Sequence, residues 1–161
     1  MTSLSLFVSL VLVGTLVYPG NASPEPLGKP CSELEVGDYI ILRDRPTRLT
    51  EVSSTGSRVS IVGEQVFTGE RAEDTCPADH RYYRPEMVEN EYQVIDYEGG
   101  MLDLMDDDGE TFNLMVDRPV DANILEEIQE AVSSGDGDVY VTVLERQADG
   151  QQRPVSFRVE E

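Results

Sequence analysis

The chain is 161 residues long, 39% of them hydrophobic, a length that suits one ordinary domain or two small ones. Its 32 acidic residues outnumber 12 Lys and Arg and give a formal net charge of −20, which disfavours nucleic-acid binding because proteins bind phosphates by neutralising them with Lys and Arg. Most of the acidity lies in the second half, since residues 30–87 carry 11 acidic and 7 basic residues, whereas residues 88–161 carry 20 and 4.

An apolar run occupies residues 4–17. It is shorter than the roughly 20 residues that a membrane-spanning helix needs, and its length is typical of the core of a secretory signal peptide. Small residues allow cleavage after Ala22, so residues 1–22 are predicted to be a signal peptide. We therefore expect the protein in the secretory pathway or outside the cell, without a stable membrane anchor after cleavage. No Lys or Arg precedes the run, so a retained anchor and a misplaced gene start are alternatives to a cleaved signal. The alternative location of the protein is the cytoplasm.

Residues 23–30 contain three prolines and one glycine, a composition that indicates a linker. Short apolar runs separated by turn residues follow, and this spacing is typical of a small β-barrel. The Ser, Thr and Gly composition of residues 53–57 predicts a hairpin turn. The predicted strands of this part are residues 39–42, 49–52 and 59–62.

A second group of strands follows a break near Pro85. Residues 122–132 predict the one clear helix, because their apolar side chains recur at helical spacing. Asp121 is a suitable N-cap for this helix, and Gly135 is a suitable stop. Strands interrupted by one helix before the last pair fit an OB-type barrel. The predicted strands of this part are residues 92–97, 101–105, 111–114, 139–144 and 155–159.

Several motifs, in the same order along the chain, resemble the eukaryotic translation initiation factor 5A family. The resemblance covers roughly residues 31–145, and separate motifs in one order make it specific. The matching segments are Cys31-Ser32 with Leu34, Gly37 to Leu42, Arg45-Pro46, Ile61 to Gly69, Glu73 to Pro77 with His80, Asn90 to Asp96, and Asp108 to Glu110.

The resemblance implies a mostly β protein with two domains. An SH3-like barrel is expected over residues 31–87 and an OB-fold with one short helix over residues 88–161. The family's role in translation elongation implies the ribosome and RNA as partners, although the net charge of −20 weakens that expectation. A related offshoot, the Woronin-body crystal protein, resembles a self-assembling lattice former, which shows that the fold can serve another role.

The family's activity depends on a lysine that is converted to hypusine on a long basic loop of the first domain. The corresponding interval here is shorter and contains no lysine, and the only lysine of the chain is Lys29 in the predicted linker. We therefore expect a plain β-hairpin and no hypusine at this position. The degenerate loop consists of Ser53, Ser54, Thr55, Gly56, Ser57 and Arg58.

Three other features of the sequence have residue types that can form functional sites. Cys31 and Cys76 lack metal-site spacing and are interpreted as a buried or free thiol pair, with a disulfide as the alternative in an oxidising compartment. His80 is interpreted as a structural residue. The acidic run at residues 106–110 lacks the alternating ligands of an EF-hand loop and is interpreted as a solvated turn.

Three functions remain open. The first is a diverged translation factor 5A-like protein without hypusine-dependent activity. The second is a secreted protein that uses the same fold to bind another protein, and the third is a self-assembling structural protein. An enzyme is the least supported class, because the sequence contains no recognisable set of catalytic residues. We predict no catalytic, cofactor-binding or metal-binding residues and no cofactor.

Overall fold

A computed structural model describes residues 27–161. Within them the chain forms eleven strands, one α-helix and two short 3₁₀ turns. The elements are β1 (Leu27–Pro30), β2 (Tyr39–Leu42), β3 (Arg45–Thr55), β4 (Arg58–Gln65), β5 (Arg71–Pro77), β6 (Arg81–Tyr83), β7 (Met87–Glu98), β8 (Met101–Met105), β9 (Thr111–Met115), α1 (Ala122–Ser134), β10 (Asp138–Arg146) and β11 (Gln152–Glu160). No helix among these residues is long and apolar enough to cross a bilayer.

The first domain is the predicted SH3-like barrel. Its main sheet has the antiparallel order β2-β3-β4-β5, and β1 pairs with β6 in a second, two-stranded sheet. Side chains alternate along β4, so that Val59 and Ile61 are buried while Arg58 and Ser60 face solvent, as expected for a strand with one face on a core. Gly63 lies where β3 approaches closely: a Cβ atom there would stand 2.6 Å from the side chain of Thr47.

The start of the first domain differs from the sequence interpretation. Residues 27–30, assigned to a linker, form β1, because β6 offers an edge with which they pair. Directly after β1, Cys31 is joined to Cys76 of β5 by a disulfide. Both cysteines are buried, so the interpretation as thiols was wrong for this structure and the disulfide alternative is the one observed.

The second domain is the predicted OB-fold. Its five-stranded antiparallel sheet has the order β11-β10-β7-β8-β9, and α1 lies between β9 and β10 in the chain. The core is aliphatic and includes Leu102, Leu104, Ile128, Val141 and Val143, each at most 1% exposed. Helix α1 contributes Leu125 and Ile128 to this core, in agreement with the apolar face that the helical spacing predicts.

The ends of α1 confirm one expectation and correct another. Gly135 follows the helix with a φ of 67°, the left-handed conformation that favours glycine at this position. Asp121 precedes the helix but its side chain makes no capping hydrogen bond. The carboxylate is instead buried against two arginines, because tertiary ion pairs are available to it.

The two domains meet over a small apolar cluster of Val66 and Phe67 from the first domain and Leu144 from β10. Tyr39 and Met87 pack against its edge. Arg153 of β11 adds a polar contact, donating a hydrogen bond of 2.6 Å to the carbonyl of Val66. The turn after β4 is therefore held by the second barrel.

Candidate functional site: the β3–β4 hairpin

The interval that the sequence analysis predicts to correspond to the family's lysine-bearing loop lies at the end of a long hairpin. β3 and β4 remain paired up to Thr55 and Arg58. Only Gly56 and Ser57 lie between the strands, so the predicted turn at residues 53–57 is narrower than expected. Residues 53–55 continue the strand because Ser53 and Ser54 pair with Ser60 and Val59.

Glycine makes the tight turn possible. Gly56 has a φ of 63°, in the left-handed region that two-residue hairpin turns require and that glycine adopts without strain. Apart from Gly56 and its two chain neighbours, no atom of residues 27–161 lies within 4 Å of the position where a Cβ of Gly56 would stand. The end of the hairpin therefore projects into solvent.

The groups at this end are hydroxyls and one guanidinium. Arg58 does not extend away from the hairpin, because its Nη2 lies 3.4 Å from the carbonyl oxygen of Thr75 on β5. The hydroxyls of Ser53, Ser54 and Thr55 are exposed. This arrangement offers weak hydrogen bonding but no amine that could be extended into a polyamine-like cation.

The only lysine of the chain lies in another sheet. Lys29 is on β1, and its Nζ is 3.2 Å from a carboxylate oxygen of Glu35 and 3.4 Å from one of Asp38. Hydrogen bonds to Glu35 and then Asp38 raise the pKa of Lys29 above its ordinary value. The amine is therefore protonated and engaged by two carboxylates.

The remaining candidate residues have structural partners. The carbonyl of His80 accepts a hydrogen bond of 2.7 Å from the amide of Cys31, and its ring packs edge-on against Tyr82. In the acidic turn, Asp106 accepts hydrogen bonds from the amides of Asp108 and Glu110. Within residues 27–161 no group of three or more His, Cys, Asp or Glu side chains is arranged to hold a metal ion.

A cluster at the domain junction was missed by sequence reasoning. Asp121, which is fully buried, lies 2.9 Å from Nε of Arg118 and 3.2 Å from Nε of Arg153. Burial raises the pKa of Asp121, and the two arginines oppose that rise. Arg118 also lies over the ring of Phe67, with 6.0 Å between its Cζ and the ring centroid. The sequence gives no signal for this cluster. Arg153 is distant from the other two residues in the chain, and Arg118 and Asp121 resemble ordinary residues that flank a helix.

Comparison with known proteins gives matches over both domains. Residues 25–80 match the family model "Translation initiation factor 5A-like, N-terminal", and residues 87–158 match "Eukaryotic elongation factor 5A hypusine, DNA-binding OB fold". The chain is 33% identical to eukaryotic translation initiation factor 5A of Trypanosoma brucei brucei, over 91% of this chain and 89% of the relative. It is 29% identical to factor 5A-1 of Saccharomyces cerevisiae, over 86% of this chain and 88% of the relative.

Solved structures agree with these matches. A translation initiation factor 5A family protein from Naegleria fowleri superposes with a TM-score of 0.69 and 29% identity, covering 85% of this chain and all of that chain. The factor 5A from Methanococcus jannaschii superposes with a TM-score of 0.62 over 81% of this chain and 92% of its own, at 20% identity. The second likeness is one of fold alone.

Proposed function

Because the chain belongs to the eukaryotic translation initiation factor 5A family, we propose that it is a diverged member that works without a hypusine side chain. The observation that carries the proposal is the two-residue turn at Gly56 and Ser57. A hairpin closed this tightly has no loop to project, and it contains no lysine. Arg58, which folds back towards β5, has neither the length nor the direction of a modified lysine.

Charge supports the same proposal. A modified lysine on a basic loop reaches ribosomal RNA by neutralising phosphates, and each such contact strengthens binding at low salt. Residues 88–161 of this chain carry only four basic residues against 20 acidic ones. Any association with the ribosome therefore depends on the first domain, which carries seven arginines. This association is weaker than that of a lysine-bearing relative.

Intact-mass measurement tests the proposal. The purified protein is incubated with spermidine and the enzymes that convert lysine to hypusine, and S. cerevisiae factor 5A-1 serves as the positive control. We expect a mass increase for the yeast protein and none for this chain. As a second control, this chain with the yeast lysine loop grafted between Ser53 and Arg58 should gain the mass. Modification of the unaltered chain, which could occur only at Lys29, would refute the proposal.

Ribosome co-sedimentation tests the weaker association. At low salt we expect a small bound fraction that disappears as the salt concentration rises, because exposed charges are screened. Arg58→Ala should lower this fraction only slightly, because Arg58 is one of seven arginines in the first domain and contacts Thr75 of its own chain. Binding as strong as that of the yeast factor would show that the hairpin is not the determinant of affinity.

A second candidate function is a secreted binding protein on the same fold. The apolar run at residues 4–17 and the disulfide between Cys31 and Cys76 support it, because disulfides form and persist in oxidising compartments. Amino-terminal sequencing of the natural protein from separate cell and medium fractions tests it. A chain that begins near Ser23 in the medium supports secretion, whereas an intact Met1 in the cytosol supports the translational function.

A further inference from the structure

The outer face of β7, β8 and β9 combines apolar and acidic side chains. Leu102 and Leu104 of β8 are fully buried, so the alternating residues of that strand, Met101, Asp103 and Met105, lie on the opposite face. In register with them on β9 are Met115 opposite Met101 and Asn113 opposite Asp103. Three of the five methionines of the chain therefore lie on one face of one sheet.

Two of these methionines are exposed, and Met105 is partly buried. Met101 is 41% exposed and Met115 is 64% exposed, and they are cross-strand partners. Exposed large apolar side chains that adjoin one another mark interaction sites more often than isolated ones do. Methionine in particular is unbranched and polarizable, so a methionine-rich surface adapts to partners of varied shape.

The same face is acidic. Asp96 pairs with Asp103, and Glu98 pairs with Met101, across the β7–β8 ladder. Asn113 donates a hydrogen bond to Asp103, which fixes that carboxylate on the face. No Lys or Arg occurs in the chain between Arg84 and Arg118, so none of the three strands contributes a positive charge.

We propose that this face, termed the Met-acid face, binds a cationic amphipathic segment of a partner protein. Apolar side chains of such a segment would lie on Met101, Met105 and Met115, and its Lys or Arg would lie near Asp96, Glu98 and Asp103. Charge complementarity selects this partner: phosphate backbones and anionic membranes are repelled, and a second copy would bring like charges together. The proposal does not rest on ribosome binding or on the state of the β3–β4 hairpin.

Methionine-methyl NMR of the full chain tests the proposal, because the chain carries its own reference probe. The titrant is an 18-residue helix-forming peptide of Leu and Lys with its leucines on one face. We expect the methyl signals of Met101, Met105 and Met115 to shift with a micromolar dissociation constant. The signal of Met87, which packs at the domain junction, should not shift. A scrambled peptide of the same composition should bind at least tenfold more weakly.

Matched variants separate the contribution of the apolar side chains to peptide affinity from the contribution of the acidic side chains. The double variant Met101→Ser with Met115→Ser should lose at least tenfold in affinity, whereas Val36→Ser, which alters an equally exposed residue of the first domain, should lose none. Asp96→Asn with Asp103→Asn should weaken binding more than Asp107→Asn with Asp108→Asn, which removes the same charge from the β8–β9 turn. Unchanged melting temperatures would confirm that each variant folds.

Four results, besides an absence of binding, would overturn the proposal. They are equal binding of the scrambled peptide, shifts confined to Met87, self-association of the chain through the face, and contacts from its own residues 4–17 to these methyl groups. Translational diffusion coefficients measured in the same samples detect self-association. Contacts between residues 4–17 and the methyl groups are sought in the NMR spectra of the free chain. No binding of the amphipathic peptide at millimolar concentration would also reject the proposal.

Discussion

Asp121 shows how one buried charge can join two domains. Its carboxylate is held by Arg118 and Arg153, and the same Arg153 side chain donates hydrogen bonds to the carbonyls of Val66 and Val120. Arg118 in turn donates a hydrogen bond of 2.7 Å to the carbonyl of Gln152. Buried ion pairs add little net stability, but removal of one partner is costly because a charge is left without compensation.

Replacement of Arg153 by alanine is expected to destabilise the protein by about 3 kcal/mol, since it leaves Asp121 buried with one arginine and removes the contact with Val66. Chemical denaturation measures the loss. Arg48→Ala is the matched control, because Arg48 is an exposed arginine at the same cleft between the domains and should cost under about 0.5 kcal/mol. Adding Asp121→Asn to Arg153→Ala should recover part of the loss; no recovery would contradict the role given to the charge.

The Glu91–Arg158 pair makes a prediction about pH. Two hydrogen bonds of 2.7 and 2.9 Å from Arg158 lower the pKa of Glu91 below its ordinary value of 4.5. A group with a lowered pKa in the folded state contributes stability above its unfolded pKa, and that contribution is lost as the pH falls through the folded value. Glu91→Gln should therefore lower the melting temperature at pH 7 but have less effect at pH 3.

Glu89→Gln is the control for this measurement, because Glu89 is exposed on the same strand and makes no ion pair among residues 27–161. Its effect on the melting temperature should be small and similar at both pH values. An equal effect of Glu91→Gln at pH 7 and pH 3 would show that the ion pair does not stabilise the fold.

At the scale of single elements, the sequence predicts strongly patterned strands well and weakly patterned ones poorly. β2 and β8 have the predicted bounds because apolar residues fill them and turn residues border them. β5 and β6 were not predicted, since β5 buries only two side chains and β6 has three residues. β1 contains a glycine and a proline, and it forms a strand only because β6 supplies the partner.

The hairpin that contains the candidate site was predicted in outline. Residues 53–58 lie at a hairpin, as expected from their composition, but the extent of pairing was not evident because Ser and Thr suit both turns and exposed strands. The Asp121 cluster was not predicted, because the position of Asp before a helix is the usual signal for a cap. Only the tertiary structure brings Arg153, 32 positions later, to the same carboxylate.

The disulfide makes a prediction for the first domain. It links the segment after β1 to β5 across a sequence separation of 45 residues. In the chain-entropy description, closing a loop of this size stabilises the folded state by about 4 kcal/mol. Calorimetry of the double variant Cys31→Ala with Cys76→Ala should show a markedly lower melting temperature. A reductant should lower the melting temperature of the wild-type protein to a similar value.

The same reductant should leave the double variant unchanged, which controls for other effects of the reagent. Equal melting temperatures for the oxidised wild type and the variant would show that the bond does not stabilise the barrel.

At the scale of the whole molecule, the dominant quantity is charge. A formal net charge of −20 on 161 residues produces self-repulsion that keeps a protein soluble but opposes its compact state. The repulsion is greatest in residues 88–161, where acids outnumber bases by 20 to 4. Even the exposed side of α1 adds to it, through Glu126, Glu127 and Glu130.

Salt should therefore stabilise this protein. Raising NaCl from about 10 mM to about 150 mM shortens the Debye length from about 30 Å to about 8 Å, and the melting temperature at pH 7 should rise. The double variant Glu126→Gln with Glu127→Gln should depend less on salt than the wild type. A melting temperature that falls with salt would mean that surface ion pairs outweigh the repulsion.

The hydrogen bond between Arg153 and the carbonyl of Val66 joins residues 87 positions apart, and this has a consequence for synthesis. Domains generally fold as units while the chain emerges, the amino-terminal one first. The first barrel can form as soon as β6 is made, but its turn after β4 finds its polar partner only when β11 emerges. Docking of the two barrels is therefore a late event that requires almost the whole chain, and a nascent chain stalled before residue 153 would carry a folded but undocked first barrel.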